Sequence, residues 1–322
     1  MTIREQGSKH HRPVLSISML SYNQAEYLPR AIESILDQRL TVPCEIIIGD
    51  DCSSDESQQV LQRYQREYPE LIRLHLHTDR VEAEIPGRRN NVTNLLACRG
   101  EFTAMLDADD YYIDPDKLQR QVDILTAHPD LSMSCHESFI EWGPESPRPN
   151  YRSSYRNKSG VTITTGIYGH DDLTRRYSMP FHISSIMFRT VSLRPLPDWF
   201  GKILSADQAI FYLLTMRGDY HYDERPGSIR YFSGKNYVLS SEYRSLESVR
   251  LKLRETKIFY DHFPGVRKHQ TFRSFSGRLH LRLVKPLAAE GKLGAAANHL
   301  VRAAKDLYPE LNFTRVKKVL FS

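Results

Sequence analysis

Between Val14 and about Ile140, apolar strand-like runs alternate with amphipathic helical ones, and this alternation narrows the fold more than any other feature of the chain. Val14 to Leu20 reads as a first strand, and Ser21-Tyr22-Asn23-Gln24 is turn chemistry. Ala25 to Leu40 then repeats apolar residues at helical spacing through Leu28, Ile32, Ile35 and Leu36. Glu45 to Gly49 is a β-branched run suited to a buried strand, followed by cap-type residues as far as Asp55 and a helix to about Tyr68. Ile72 to His77 is a third strand, on which strand alternation explains His75 and His77 sharing a face better than a metal pair does. A helix over Arg88 to Arg99, a strand over Phe102 to Leu106, a helix over Asp116 to His128 and a strand over Leu131 to Glu141 complete the series. Such repetition implies an α/β fold with a Rossmann-like, mainly parallel sheet, right-handed crossovers and flanking helices.

Several function classes drop out. No Gly-x-Gly-x-x-Gly follows any of these strands, which excludes a dinucleotide site of the usual kind. No run approaches the roughly 18 apolar residues of a spanning helix. Met1 to Arg12 is polar and basic without an apolar core, so a secretory signal is not expected. Cys44, Cys52, Cys98 and Cys135 lack the paired spacing of a zinc or redox motif, and free thiols in a reducing cytoplasm are the expectation. Trp142 to Gly160, rich in Pro, Ser and Arg, is expected as a long loop.

Charge divides the chain. From Ser240 onward there are 17 Lys/Arg against 7 Asp/Glu, a net of +10, whereas residues 1–239 carry a net of −5. The expected organisation is therefore an α/β domain over residues 12–239 and a basic helical region over 240–322. Leu246 to Phe259, Leu279 to Leu287 (ending at Pro286) and Leu293 to Leu307 carry the helical spacing there. Asn312 to Phe321 mixes bulky apolar and basic side chains, which either lie in an anionic membrane interface or dock on the protein's own core. No nucleic-acid-binding motif is present.

The chemistry concentrates where the strand Phe102 to Leu106 runs into Asp107-Ala108-Asp109-Asp110-Tyr111-Tyr112. Acids in that position belong just past a strand end, where an open α/β sheet presents its ligand crevice. Asp107 and Asp109, two apart, either direct oxygens at one divalent cation or form a solvated turn and caps for the helix after Asp114-Pro115-Asp116.

Several motifs in order resemble the family 2 glycosyltransferases: Pro13 to Ser18 with Ser21-Tyr22-Asn23 and Glu26-Tyr27-Leu28, then Glu45 to Asp51 with Ser53-Ser54-Asp55, Leu106 to Asp110, and Lys117 to Gln121. The resemblance covers about 130 residues. It implies the GT-A fold and transfer of a sugar from a nucleotide-sugar, UDP-linked by default with dTDP and GDP open, to a glycan or lipid-linked glycan acceptor. It implies that Asp107 meets ribose and metal, that Asp109 is the main ligand of Mn²⁺ or Mg²⁺, and that Tyr22 stacks on the base beside Asn23. Glu26, Asp50 and Asp51 resemble the groups that hold base and ribose, with a helix cap as the other reading of the two aspartates. Arg89 and Asn94 are candidates for the diphosphate side, or plain surface-helix residues. Asp207, at the start of a helix running to Met216, resembles the family's general base; Ser205 or Asp207 capping that helix is the alternative.

The chain departs from the pattern once. Where many relatives have Tyr-Arg-x-His-x-Gly, whose His completes the metal shell, this chain has Ile229-Arg230-Tyr231-Phe232-Ser233-Gly234. Phe232 cannot ligate a cation, which leaves Asp109, donor phosphates and water. The resemblance implies a cytoplasmic, inverting glycosyltransferase of bacterial surface polysaccharide synthesis (O-antigen, capsule or exopolysaccharide), in peripheral membrane contact if its basic tail lies on lipid. A nucleotidyltransferase, or a catalytically silent glycan-binding or assembly partner, is the alternative.

Overall fold

The computed structural model describes residues 1–5, 12–79, 85–144, 152–153, 163–174, 181–232, 245–263, 265–266 and 270–307. In chain order the elements are β1 (Leu15–Ser21), α1 (Leu28–Leu36), β2 (Cys44–Asp50), α2 (Ser57–Glu67), β3 (Ile72–Leu76), α3 (Arg88–Ala97), β4 (Phe102–Asp107), β5 (Tyr111–Tyr112), α4 (Lys117–Ala127), β6 (Leu131–Trp142), β7 (Arg152–Ser153), β8 (Gly166–Tyr168), α5 (His170–Thr174), β9 (Met187–Arg189), α6 (Ala206–Thr215) and β10 (Asp219–Phe232). Three helices follow: α7 (Leu246–His262), α8 (Gln270–Ala289) and α9 (Leu293–Leu307).

The sheet runs β3-β2-β1-β4-β9-β6-β10-β5, with β7 on β6 and β8 on β10. Its first four strands are mutually parallel, β9 lies antiparallel between β4 and β6, and β6 and β10 are parallel to each other. The β-branched run Ile46-Ile47-Ile48 is completely buried, as a central parallel strand covered on both faces requires. Pro29 in the first turn suits the start of α1, which buries Leu28, Ala31, Ile32, Ile35 and Leu36 along one stripe. Each such side chain contributes about 1.5–3 kcal/mol of burial free energy.

Three details depart from the sequence expectations. The first residues belong to the sheet unit: Ile3 is buried in its core, and its N–H donates to the Gln38 carbonyl at 2.8 Å. The apolar run from His182 to Arg189, which by its sequence reads as one strand, is a 3-10 turn, Ile183–Ser185, followed by the three residues of β9. Pro286 lies inside α8 rather than ending it. Proline's missing N–H and its ring bear only on the turn before it, and the Glu290 N–H still reaches the Pro286 carbonyl at 3.0 Å. Two compact units divide the chain, the sheet unit and a unit of α7–α9 with Ile203–Ser205, whose backbone N–H groups at Leu204 and Ser205 both donate to Glu255 at 2.7 Å. The break expected between residues 239 and 240, most of the loop after Trp142, and the basic stretch Asn312 to Phe321 lie outside the described residues.

Candidate active site

Parallel register sets the site. Ser21 pairs with Asp50 and Leu20 with Asp107, so the turns that follow β1, β2 and β4 emerge side by side at one edge of the sheet. Two of them carry residues in the left-handed region, Asn23 (φ 51°) and Cys52 (φ 60°). Non-glycine residues held there cost on the order of 1 kcal/mol each, and such strain persists where surrounding bonds over-determine it. Here they do. The Asn23 N–H donates to Ser53 Oγ and the Ser54 N–H to Asn23 Oδ1, both at 2.8 Å, while Asp55 takes the Ala25 N–H at 3.1 Å.

These bonds separate the residues that resemblance groups together. Tyr22 and Glu26 are exposed at the mouth, and Asn23 staples the two turns. Asp50 is fully buried and takes bonds from the Ser53 N–H (2.9 Å), Ser53 Oγ (2.5 Å) and Gln58 Nε2 (2.9 Å), so it organises its own turn instead of facing a ribose. Asp51 instead bridges to the start of α3, accepting the Gly87 N–H at 3.1 Å. Asn94 is also interior: its amide donates to the Met19 carbonyl at 2.8 Å, packing α3 onto the sheet rather than reaching a diphosphate. Arg89 points to Asp79, an ion pair of 3.3 Å on a largely exposed carboxylate.

The acidic turn is closed by bonds to more distant elements. Asp110 N–H donates to the Asp107 carbonyl, tightening the turn at 2.9 Å. Ser184, in the 3-10 turn, accepts the Asp107 N–H at 3.1 Å and donates to Asp110 Oδ2 at 2.5 Å. His182 Nε2 shares a hydrogen bond with the same Oδ2 at 2.5 Å, and the Tyr231 N–H on β10 reaches Asp110 Oδ1 at 2.9 Å. One ligand-type atom from each of Asp107, Asp110 and His182 lies within 4.8 Å of the other two. Two carboxylate oxygens and an imidazole nitrogen in that space fit a divalent cation such as Mn²⁺ or Mg²⁺.

Electrostatics favour the same use. Burial, and then the neighbouring Asp110, push the Asp107 carboxyl above the usual carboxylate range; Asp109 and Asp207 push the same way, against the pull of His182. Burial also raises Asp110, with Ser184, the Tyr231 N–H, Arg230 and Arg30 opposing it. His182 is depressed to about 3 by burial and by Arg230, with Asp107 and Asp207 drawing it back up. Carboxyls pushed up by burial and by neighbouring acids are groups whose charge a bound cation would favour. Asp207 stands in the first turn of α6, within electrostatic reach of both Asp107 and His182, and its Oδ1 takes the Gln208 N–H at 2.8 Å.

Asp110 and His182 carry no separate signal in the sequence, since one reads as the end of an acidic run and the other as the head of a strand. Phe232 is buried in a stack, 4.5 Å from the Trp142 ring on one side and with the Arg230 guanidinium 4.6 Å from its centroid. Arg30 lies against Tyr111 and Tyr231, at 4.1 and 4.6 Å, forming an aromatic wall beside Asp110.

The fold is shared with solved glycosyltransferase structures. S. aureus TarS 1–349 in complex with UDP-GlcNAc superposes with a TM-score of 0.59 at 16% identity, over 95% of this chain and 83% of that one. A mannosyltransferase from Pyrobaculum calidifontis in complex with GDP-Man and Mn²⁺ superposes with a TM-score of 0.56 at 19% identity, over 97% and 86%. Among curated proteins, the succinoglycan biosynthesis protein ExoO of Rhizobium meliloti is 34% identical over 111 residues, 34% of this chain and 29% of its own length. The first curated relatives are likewise matched over only 34% of their length. Among the described residues, no helix is long and apolar enough to cross a membrane. The family model for glycosyl transferase family 2 matches residues 16–192, more than half of the chain and including the turns after β1, β2 and β4, and with its GT-A architecture the chain belongs to that family.

Proposed function

We propose that this chain is an inverting, metal-dependent glycosyltransferase that moves a sugar from a nucleotide-sugar, a UDP-sugar first, to a hydroxyl on a glycan or lipid-linked glycan in bacterial surface polysaccharide synthesis. The observation that carries the reading is the position of Asp207, a carboxylate in the first turn of a helix and within electrostatic reach of Asp107 in the β4 turn. The succinoglycan role of a relative supports the product class, and the donors bound by the structural neighbours support the substrate class.

In this reading Tyr22 offers its exposed ring to the base, and Asp51 and Glu26 hold base and ribose. Asp107 and Asp109 hold Mn²⁺ or Mg²⁺, which when bound draws charge from the leaving diphosphate as a Lewis acid. Asp207 takes the acceptor hydroxyl's proton while that oxygen attacks the anomeric carbon on the side opposite the diphosphate. The C1–O bond to the diphosphate breaks, and configuration inverts. The +10 excess after Ser240 supports peripheral contact with an anionic membrane on its cytoplasmic face.

A thermal-shift panel of nucleotide-sugars with and without Mn²⁺ tests the donor. A ligand at about 100 times its Kd stabilises the fold by roughly 2.7 kcal/mol. Product analysis then decides the chemistry. Release of a nucleoside diphosphate with a glycosylated acceptor is expected; release of pyrophosphate identifies a nucleotidyltransferase, and no turnover with any bound donor identifies a silent partner.

A further inference from the structure

We propose that His182 supplies a nitrogen ligand to the divalent cation, taking the place of the histidine absent at position 232. The proposal rests on the metal-dependent reading above and adds a ligand from a different element.

Position 232 is closed to that role. Its ring is held between Trp142 and Arg230, so even a ligating side chain there would have to leave a stack to reach a cation. His182 comes from the other side, at the head of the 3-10 turn that faces β4. It is buried, and Nε2 points at the acidic turn, in the group of three whose ligand-type atoms lie within 4.8 Å of one another. Its neighbour Ser184 holds both the Asp107 N–H and Asp110 Oδ2, so the imidazole and the acids are fixed in one frame. Asp110 keeps the Tyr231 N–H and Ser184 Oγ as partners when the Nε2 bond is given up. With the proton on Nδ1, Nε2 presents a lone pair to a cation between itself and the carboxylates. A nitrogen in the shell favours Mn²⁺ over Mg²⁺, whose preference is for oxygen.

The test is pulsed electron paramagnetic resonance of Mn²⁺ bound with UDP, read beside Mn²⁺ titrations of the same samples. Wild-type protein is expected to show ¹⁴N modulation from a directly bound imidazole. His182→Gln keeps an amide able to bond Asp110, so the turn stays placed; it is expected to lose the modulation and weaken Mn²⁺ by at least about tenfold. UDP affinity measured without metal is expected to stay the same. Modulation that is absent in the wild type, or that persists in His182→Gln, overturns the proposal while leaving Mn²⁺–UDP binding intact. Wild-type protein that binds no Mn²⁺ with UDP overturns the metal-dependent reading and this ligand with it.

Discussion

The same parallel strands carry buried carboxylates at both ends, and the two ends treat them in opposite ways. At the start of β2, Glu45 is surrounded by donors. Ser16 Oγ lies at 2.7 Å and the Arg99 N–H at 2.8 Å on Oε1, with the Arg99 and Arg73 guanidinium groups at 2.7 and 2.9 Å on Oε2. Burial alone would raise its pKa, but Arg99 and Ser16 reverse the sign and hold it below the usual range. At the other end, burial raises both Asp107 and Asp110, and the Asp110 charge raises Asp107 further. A carboxylate whose partners all come from the protein contributes to stability. A cluster whose carboxyls stay raised despite Arg230 and Arg30 nearby is one in which a bound cation would favour the charged form.

Asp109→Ala breaks the site end most completely. Transfer should fall by about 10³-fold or more, equivalent to several kcal/mol of charge stabilisation, and Mn²⁺ should no longer strengthen nucleotide binding. The melting temperature should stay within a degree or two of the wild type, about what a change near 0.5 kcal/mol gives in a chain of this size. Near-normal metal-dependent transfer would remove Asp109 from the site. Asp207→Asn should lower the transfer rate by about 10²–10⁴-fold at saturating donor with donor affinity unchanged by calorimetry. Asn caps a helix about as well as Asp, so a wild-type rate would reduce Asp207 to a cap.

Glu45→Gln should do the reverse. We expect a loss of about 1–3 kcal/mol in denaturant unfolding, toward the low end because Arg99 and Arg73 keep solvent contact, with donor affinity and rate unchanged. Its pH signature follows from the depressed pKa. The stabilisation is fully present above the ordinary Glu value of about 4.3 and is lost as pH falls through the folded value, so the variant should lack that acid-side decline. The smallest effect belongs to Phe232→His. If its ring stays in the Trp142 stack, Mn²⁺ affinity should change by no more than about twofold, under 0.5 kcal/mol. A large gain in Mn²⁺ affinity would show that position 232 can reach the cation after all.

The sheet was legible because β-branched runs such as Ile46-Ile47-Ile48 and the stripe on α1 have few other uses. The order of motifs likewise located the crevice. What the residues do within it was less legible, because side-chain direction is set by partners far away in sequence. Asp50 and Asp51 are neighbours of one type, yet Ser53 and Gln58 turn the first inward while Gly87 meets the second. Asn94 looks like a polar helix residue until strand carbonyls are found beneath it. His182 reads as a strand residue, and its meaning comes from Asp110, which lies 72 positions earlier.

Gly49 has a consequence of a mechanical kind. A β-carbon there would stand 2.0 Å from Asn90 Oδ1 and 2.6 Å from Asn94 Oδ1, so α3 rests on β2 with no clearance for even a methyl group. The N-terminal end of α3 is also what holds Asp51, through the Gly87 N–H. Gly49 thus acts as a shim beneath a lever. A residue outside the acidic turn sets the height of the helix whose tip fixes one wall of the crevice.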